Sequence, residues 1–341
     1  MAALGDAFFI QTFTTTLQRY EKTLVDNVFR AHPVLDLFQP MAKSITGRGL
    51  VIPLRSAHLN ATAKADSSGS HSTAVSGNTL GSAVYEWASE IVTSFRLAHR
   101  DILQNSGPEQ IINLVEAYVE GATMDHKNFI VSKIHALAAD WTPGDFFSLD
   151  TLVGNADSDA AANTAVTTAG YTWKPVGGID PNDGATDKTY WQSVRRYVPA
   201  TGMGSEDILT AMRKTTNEIF RVSRKRPTHL IAGFNIYEEI EEYLQDKGRY
   251  TPVEGTANVR FTTLKYGDLE IRLDPDCQDD RAYFLYQPSL RFAYCAGEFM
   301  KSYPAIPLPG TLDTIVPLAS TILFGLSERR ANGVLIRSVA P

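Results

Sequence analysis

The sequence predicts an α+β subunit, and three observations carry that expectation. A helical pattern runs without a breaker from 108 to about 138, alternating segments at 49–58 and 85–97 flank a polar stretch, and short helices and strands follow one another from 205 to the end. With 341 residues the chain can bury a sizeable core, as one large domain or two to three smaller ones.

The first element is a helical arm. Leu17, Tyr20, Leu24 and Val28, backed by Phe13, Val25 and Phe29, recur at helical spacing, and Pro33 and Pro40 then break the pattern into an extended link. At 49–58, Leu50, Ile52 and Leu54 share one side of a strand. Residues 59–82 are small and polar, with too little apolar content to pack alone. Next come Tyr85, Trp87, Ser89, Ile91, Thr93, Phe95 and Leu97 on one face, with Glu86, Glu90 and Arg96 opposite. Read as one strand, this segment spans ~45 Å at ~3.3 Å per residue, more than twice the usual strand length. A strand pair that long cannot bury its aromatic face on one small domain, which predicts an arm covered by a neighbouring copy.

Pro108 stands just inside a helix start, and the stripe expected to face the core is Ile111, Val115, Tyr118, Ala122, Phe129, Ile130, Ile134 and Leu137. Residues 142–204, rich in Gly, Asp, Thr and Pro, read as loops and short strands. Order returns with Ser205 as N-cap of a helix carrying Ile208, Leu209, Met212, Ile219 and Phe220 and closing on Arg224, Lys225, Arg226 and Pro227. A strand at 228–233, a helix from Ile236 to Lys247, and strands at 268–273, 281–286 and 290–296 follow, with alternation again at 321–325 and 333–338.

Composition narrows the function. Hydrophobic residues at 43% and charged residues at 21% are globular values, and no apolar run approaches the ~18 residues of a membrane span. The N-terminus has no Lys or Arg before Arg19, unlike a secretory signal, so folding in a cytoplasm is expected. A net charge of -6 argues against a general polyanion binder. The chain lacks the phosphate-loop, dinucleotide, zinc-protease and nucleophile-elbow motifs, and no catalytic, cofactor-binding or metal-binding residue is assigned.

Four features have two readings each. The acidic run Asp274, Asp276, Asp279, Asp280 reads as a solvated turn or a site for a hard cation. His126 and His135 fall on different sides of the long helix, so they pack separately rather than share a ligand. Arg221, Arg224, Lys225 and Arg226 suit the negative end of their helix, or contact a neighbouring subunit or DNA. Cys277 and Cys295 read as two small buried thiols, since neither belongs to a metal or redox array.

Taken in order, the helical arm, long excursion, ~30-residue helix, mixed α/β region and closing strands resemble the major capsid proteins of tailed bacteriophages of the Hong Kong 97 type. The closest phrases are Asp207 with its helix, Pro227 to Phe234, Asp246 to Tyr250, Tyr266 to Arg272, and Thr321 with Glu328, Arg329 and Arg330. The resemblance implies an N-terminal arm at 1–44, an extended loop at 45–100, a spine helix at 101–141, an axial domain at 142–316, and C-terminal strands of the peripheral domain at 317–341. It implies a non-enzymatic shell subunit, forming hexamers and pentamers with itself around double-stranded DNA that it does not read, with scaffold, portal and decoration proteins as partners. An encapsulin-like compartment shares the fold, and an uncharacterised α/β enzyme is the reading from another class. Some members join a loop Lys to an Asn with help from a Glu. Here Lys64 suits the donor, but the acceptor position falls near Leu318 and the Glu position near Gly325, so no bond is expected. No scaffolding segment is evident ahead of the arm, which implies a separate scaffold or a processed form.

Overall fold

The computed structural model describes residues 33–38, 42–55, 80–87, 90–99, 108–140, 145–154, 175–181, 189–198, 206–246 and 264–337. The helical arm before residue 33 and most of the polar tip at 59–82, Lys64 included, lie outside the described residues.

Where an extended link is expected, helix α1 (Pro33–Phe38) forms instead. Pro33 opens it, because a proline in the first turn gives up an N–H that has no helical partner anyway. Val34, Leu35, Leu37 and Phe38 are buried, and the Phe38 ring meets Phe324 edge-on at 4.6 Å. Strand β1 (Ala42–Ile45) then runs parallel to β10 (Leu290–Cys295), which pairs antiparallel with β14 (Ile322–Leu326) in a three-stranded sheet.

The segment read as one long strand is two strands in two sheets. β2 (Gly49–Arg55) and β3 (Leu80–Glu86) form an antiparallel ribbon, whereas β4 (Ile91–Leu97) pairs along its whole length with β13 (Thr314–Ser320). The break follows the partner strands, because β3 pairs with β2 and β4 with β13, in separate sheets. Side-chain parity survives the break: Tyr85, Ile91 and Leu97 are buried, while Val84, Glu86, Val92 and Arg96 are exposed. The aromatic face expected to need a neighbour is thus covered largely by its own chain, with Tyr85 only 1% exposed. The sheet of β4 and β13 is completed by β11 (Lys301–Ser302) and β12 (Ile306–Pro307).

Helix α2 (Pro108–Ile134), 27 residues long, is the longest among the described residues and spans ~40 Å at ~1.5 Å per residue. It stops at Ile134 rather than near 138, where a 3-10 turn (Ala138–Asp140) follows. Its buried stripe is Val119, Ala122, Thr123, His126, Ile130, Val131 and Ile134. Tyr118 and Phe129, expected in that stripe, are exposed, and the side chains of Ile111 and Val115 lie outside the described residues. The face turned to the sheet is rotated because His126 and Thr123, which look polar in the sequence, point inward. Tyr118 stays at the edge, stacked on Phe95 with ring centroids 5.9 Å apart.

After the short helix α3 (Leu149–Val153) comes a six-stranded sheet. It is built from β5 (Val194–Val198), β6 (His229–Ala232), β7 (Leu264–Tyr266), β8 (Leu269–Leu273), β9 (Arg281–Leu285) and β15 (Gly333–Arg337), in the order β5-β15-β9-β6-β8-β7. Helices α4 (Ile208–Ser223) and α5 (Phe234–Asp246) bury Ile208, Met212, Ile219, Ile236 and Ile240 in one core with Ala282 and Phe284. Tyr283 and Leu285 point the other way into the larger core, so every residue of β9 is buried. That two-sided burial explains why β9 reads as an apolar run rather than an alternation. The last strand, β15, sits between β5 and β9. Ser205 lies outside the described residues, and Asp207 holds the N-cap position of α4. The helix closes on Arg224, which adopts the left-handed conformation (φ 61°).

Candidate assembly surface

A buried polar joint holds α2 to the sheet beneath it. His126 on α2 hydrogen-bonds Thr93 Oγ1 of β4 through Nδ1 at 2.9 Å and Ser320 Oγ of β13 through Nε2 at 2.8 Å. Ser320 Oγ also accepts the backbone N–H of Met300 at 2.8 Å. A neutral imidazole offers one donor and one acceptor, and each hydroxyl can supply the complement, so both ring nitrogens are satisfied without charge. Burial pushes the His126 pKa down to about 4. The sequence names His126 as packing apart from His135 but not its partners, since a single histidine on a helix carries no sign of which face is buried.

A second polar cluster centres on α3. Asp150 Oδ1 accepts from Arg281 Nη1 and from Tyr283 OH at 3.4 Å, and Oδ2 accepts the backbone N–H of Ala138 at 2.8 Å. Arg329, fully buried, donates Nε to the Leu152 carbonyl at 2.8 Å and Nη2 to the Thr151 carbonyl at 3.2 Å, capping the end of α3. Burial lowers the Arg329 pKa to about 10 and raises that of Tyr283. A buried ion pair adds little net stability; the bonds of Asp150 join the turn after α2, helix α3 and strand β9.

The sequence candidates fall as follows. Asp274 is buried, accepts the Asp276 N–H at 3.1 Å and pairs with His135 Nε2 at 3.3 Å, so the acidic run begins as a self-bonded turn. Among the described residues no three His, Cys, Asp or Glu side chains gather to hold a metal. His126 and His135 bond different elements and do not meet in one site. Cys277 is buried and Cys295 half-buried; burial, with Asp274 and Asp280 nearby, raises the Cys277 pKa, which makes an unreactive thiol. In the basic cluster Lys225 pairs with Glu328 and lies over the Tyr286 ring at 5.3 Å, and Arg226 stands 4.0 Å from Asp268. Two of its four charges are therefore answered within the chain. Leu318 is packed in the larger core, and a Cβ built on Gly325 would stand 2.9 Å from the Tyr85 ring.

Apolar side chains left on the outside are candidates for contact. Val51 and Val84 face each other across the outer side of the β2–β3 ribbon, both exposed. Val92 and Phe129 line an open groove of about 440 Å³ between β4 and α2, crossed by the Lys133–Asp145 pair at 3.3 Å. Ile306 and Leu312 stand exposed at the β12–β13 hairpin, whose root is tied down by Asp313 accepting from Arg96 Nε and from the His99 N–H at 2.9 and 2.8 Å. No helix among the described residues is long and apolar enough to cross a membrane.

No family model matches the sequence, and no curated protein matches it. Solved structures do. A chain of the cyanophage A-1(L) capsid asymmetric unit is 12% identical, with 91% of this chain and 93% of that chain covered and a TM-score of 0.64. The capsid of an empty GTA particle gives 8%, 89% and 90%, and 0.55. A chain of Mycobacterium phage Adephagia gives 9%, 89% and 90%, and 0.54. With this likeness running along about nine tenths of both chains, the chain has the mixed helix-and-sheet fold of tailed-phage capsid subunits, the Hong Kong 97 type.

Proposed function

We propose that the chain is the major capsid protein of a tailed bacteriophage, a structural subunit and not an enzyme. It assembles as hexamers and pentamers into an icosahedral shell that encloses double-stranded DNA. The observation that carries this reading is the match to a cyanophage capsid chain along 91% of this chain and 93% of that one. The exposed Val51–Val84 pair, the Val92 and Phe129 groove and the hairpin at Ile306 and Leu312 give apolar surface at separate elements, which supports a subunit with more than one neighbour. At ~25 cal/mol per Å² of apolar area, modest contacts repeated around a closed shell hold it together.

In this reading residues 1–44 form the N-terminal arm, 45–100 the extended loop, 101–141 the spine helix, 142–316 the axial domain and 317–341 the closing strands. Partners beyond copies of the chain are a scaffold, a portal and decoration proteins. Assembly takes place in the bacterial host cytoplasm, and the mature location is the virion capsid. The net charge of -6 suits a wall that encloses DNA without gripping it.

Negative-stain microscopy of the purified protein tests the proposal, with closed shells of uniform diameter as the expected result. A monodisperse monomer at micromolar concentration overturns it. Shells that consistently carry a co-expressed cargo protein in place of DNA move the assignment to an encapsulin-like compartment.

A further inference from the structure

Tyr85 does more than fill the core. β14 is an edge strand of its sheet, and at Leu326 a single side chain takes both backbone groups. Tyr85 OH donates to the Leu326 carbonyl at 2.7 Å and accepts the Leu326 N–H at 3.1 Å, so one hydroxyl stands in for a missing strand. The ring lies against Gly325, where a Cβ would come within 2.9 Å of its Cδ1 and Cε1, and beside Gly177, where one would lie 3.2 Å from Cζ. Phe147 meets the ring edge-on at 6.0 Å. A second tie, from the Val84 N–H to the Gly177 carbonyl at 2.8 Å, sits one residue away. The β2–β3 ribbon forms a sheet of its own, so its direction depends on such side-chain and loop ties rather than on a shared ladder.

We propose that Tyr85 is a positioning residue for assembly: by gripping both backbone groups of Leu326 it sets the angle at which the β2–β3 ribbon leaves the subunit, and with it the curvature at which subunits meet. The inference rests on the shell reading. A seven-residue ribbon is ~23 Å long, so a rotation of ~10° at its root displaces the far end by ~4 Å. A contact held to the ~0.5 Å that recognition requires does not survive that displacement.

Tyr85→Phe keeps the ring and removes the grip. The full-length variant should fold with the circular dichroism of the wild type. Amide exchange at 49–55, 80–86 and Leu326 should quicken roughly tenfold, with β6, β8 and β9 unchanged. Its particles should spread over at least about twice the wild-type range of diameters, or remain open sheets. Particles of wild-type diameter and spread overturn the inference, as does exchange that quickens equally in every strand, the mark of general destabilisation. If the variant does not fold, the wild-type Leu326 amide decides: protection equal to its paired neighbours in β14 supports the grip, and exchange at the rate of an open edge overturns it. Wild-type protein that forms no shells removes the shell reading, while the exchange data still show whether Tyr85 holds the ribbon.

Discussion

Lowering the pH from 7 to 5 charges an exposed histidine but leaves His126 neutral, because its ring is fully buried and faces only the hydroxyls of Thr93 and Ser320. Its pKa of about 4 in the fold lies below the 6.5 of an unfolded chain. The unfolded state therefore takes up a proton first as the pH falls. Stability is complete above about pH 6.5, declines as the pH drops toward 4, and loses nothing further from this group below that. A difference of this size corresponds to roughly 3 kcal/mol in full, of which about 2 kcal/mol falls between pH 7 and 5. His229, whose pKa burial also lowers, contributes with the same sign, so the wild type alone does not isolate the effect. His126→Gln does, since an amide can donate and accept toward the same hydroxyls but does not titrate. Urea unfolding of dissociated subunits at pH 7 and pH 5 should show the wild type losing about 2 kcal/mol more than the variant. Equal losses in the two proteins would refute the reasoning.

Three further outcomes follow from the same structure. Ile130→Asp places a carboxylate where the side chain is buried; losing an apolar contact of ~1.5–3 kcal/mol and burying an unpaired charge should together exceed ~5 kcal/mol and abolish soluble folding, scored by soluble yield and circular dichroism. Deleting residues 62–79, outside the described elements, should leave the circular dichroism and melting of the subunit within error of the wild type and prevent shells in the microscope; normal shells would contradict an assembly role for the loop tip. Boiling purified particles in detergent and reductant should release a single band at 37.5 kDa, and a ladder containing Lys64-linked peptides would disprove non-covalent closure.

Much of the fold is legible where periodicity and burial agree. The strand around His229–Ala232, α5, and the strands at 269–273 and 281–285 fall within a few residues of their expected places, because each is bounded by Gly, Pro or Asp turns. Legibility fails where a partner strand decides. Nothing in the alternation of 85–97 records that its two halves pair with β2 and β13 in different sheets, and parity is preserved through the break. The expected α2 stripe holds at Ala122, Ile130 and Ile134 and departs at Tyr118 and Phe129 for a chemical reason. Counting aromatic residues as core places Tyr118 and Phe129 inside, whereas His126 and Thr123 take the buried face because hydroxyls on β4 and β13, and the Val119 carbonyl, answer them. Tyr85 was visible as a core residue but not as a grip, since its partners lie 241 positions away.

In the shell reading, the surroundings of Leu318 and Gly325 bear on the expectation of non-covalent closure. Leu318 lies in a strand paired on both sides, to Thr93 of β4 and Ser302 of β11, with its side chain in the larger core. An Asn in its place would lose that packing and need buried partners of its own. At 325 the constraint is tighter: any side chain meets the Tyr85 ring at 2.9 Å, so a Glu on this strand would dislodge the tyrosine from Leu326. The residue that holds the ribbon thus occupies the space a cross-linking carboxylate would fill. If the proposed shell reading holds, closure rests on non-covalent contacts repeated between identical subunits, and a change in ribbon direction alters each of them in the same way.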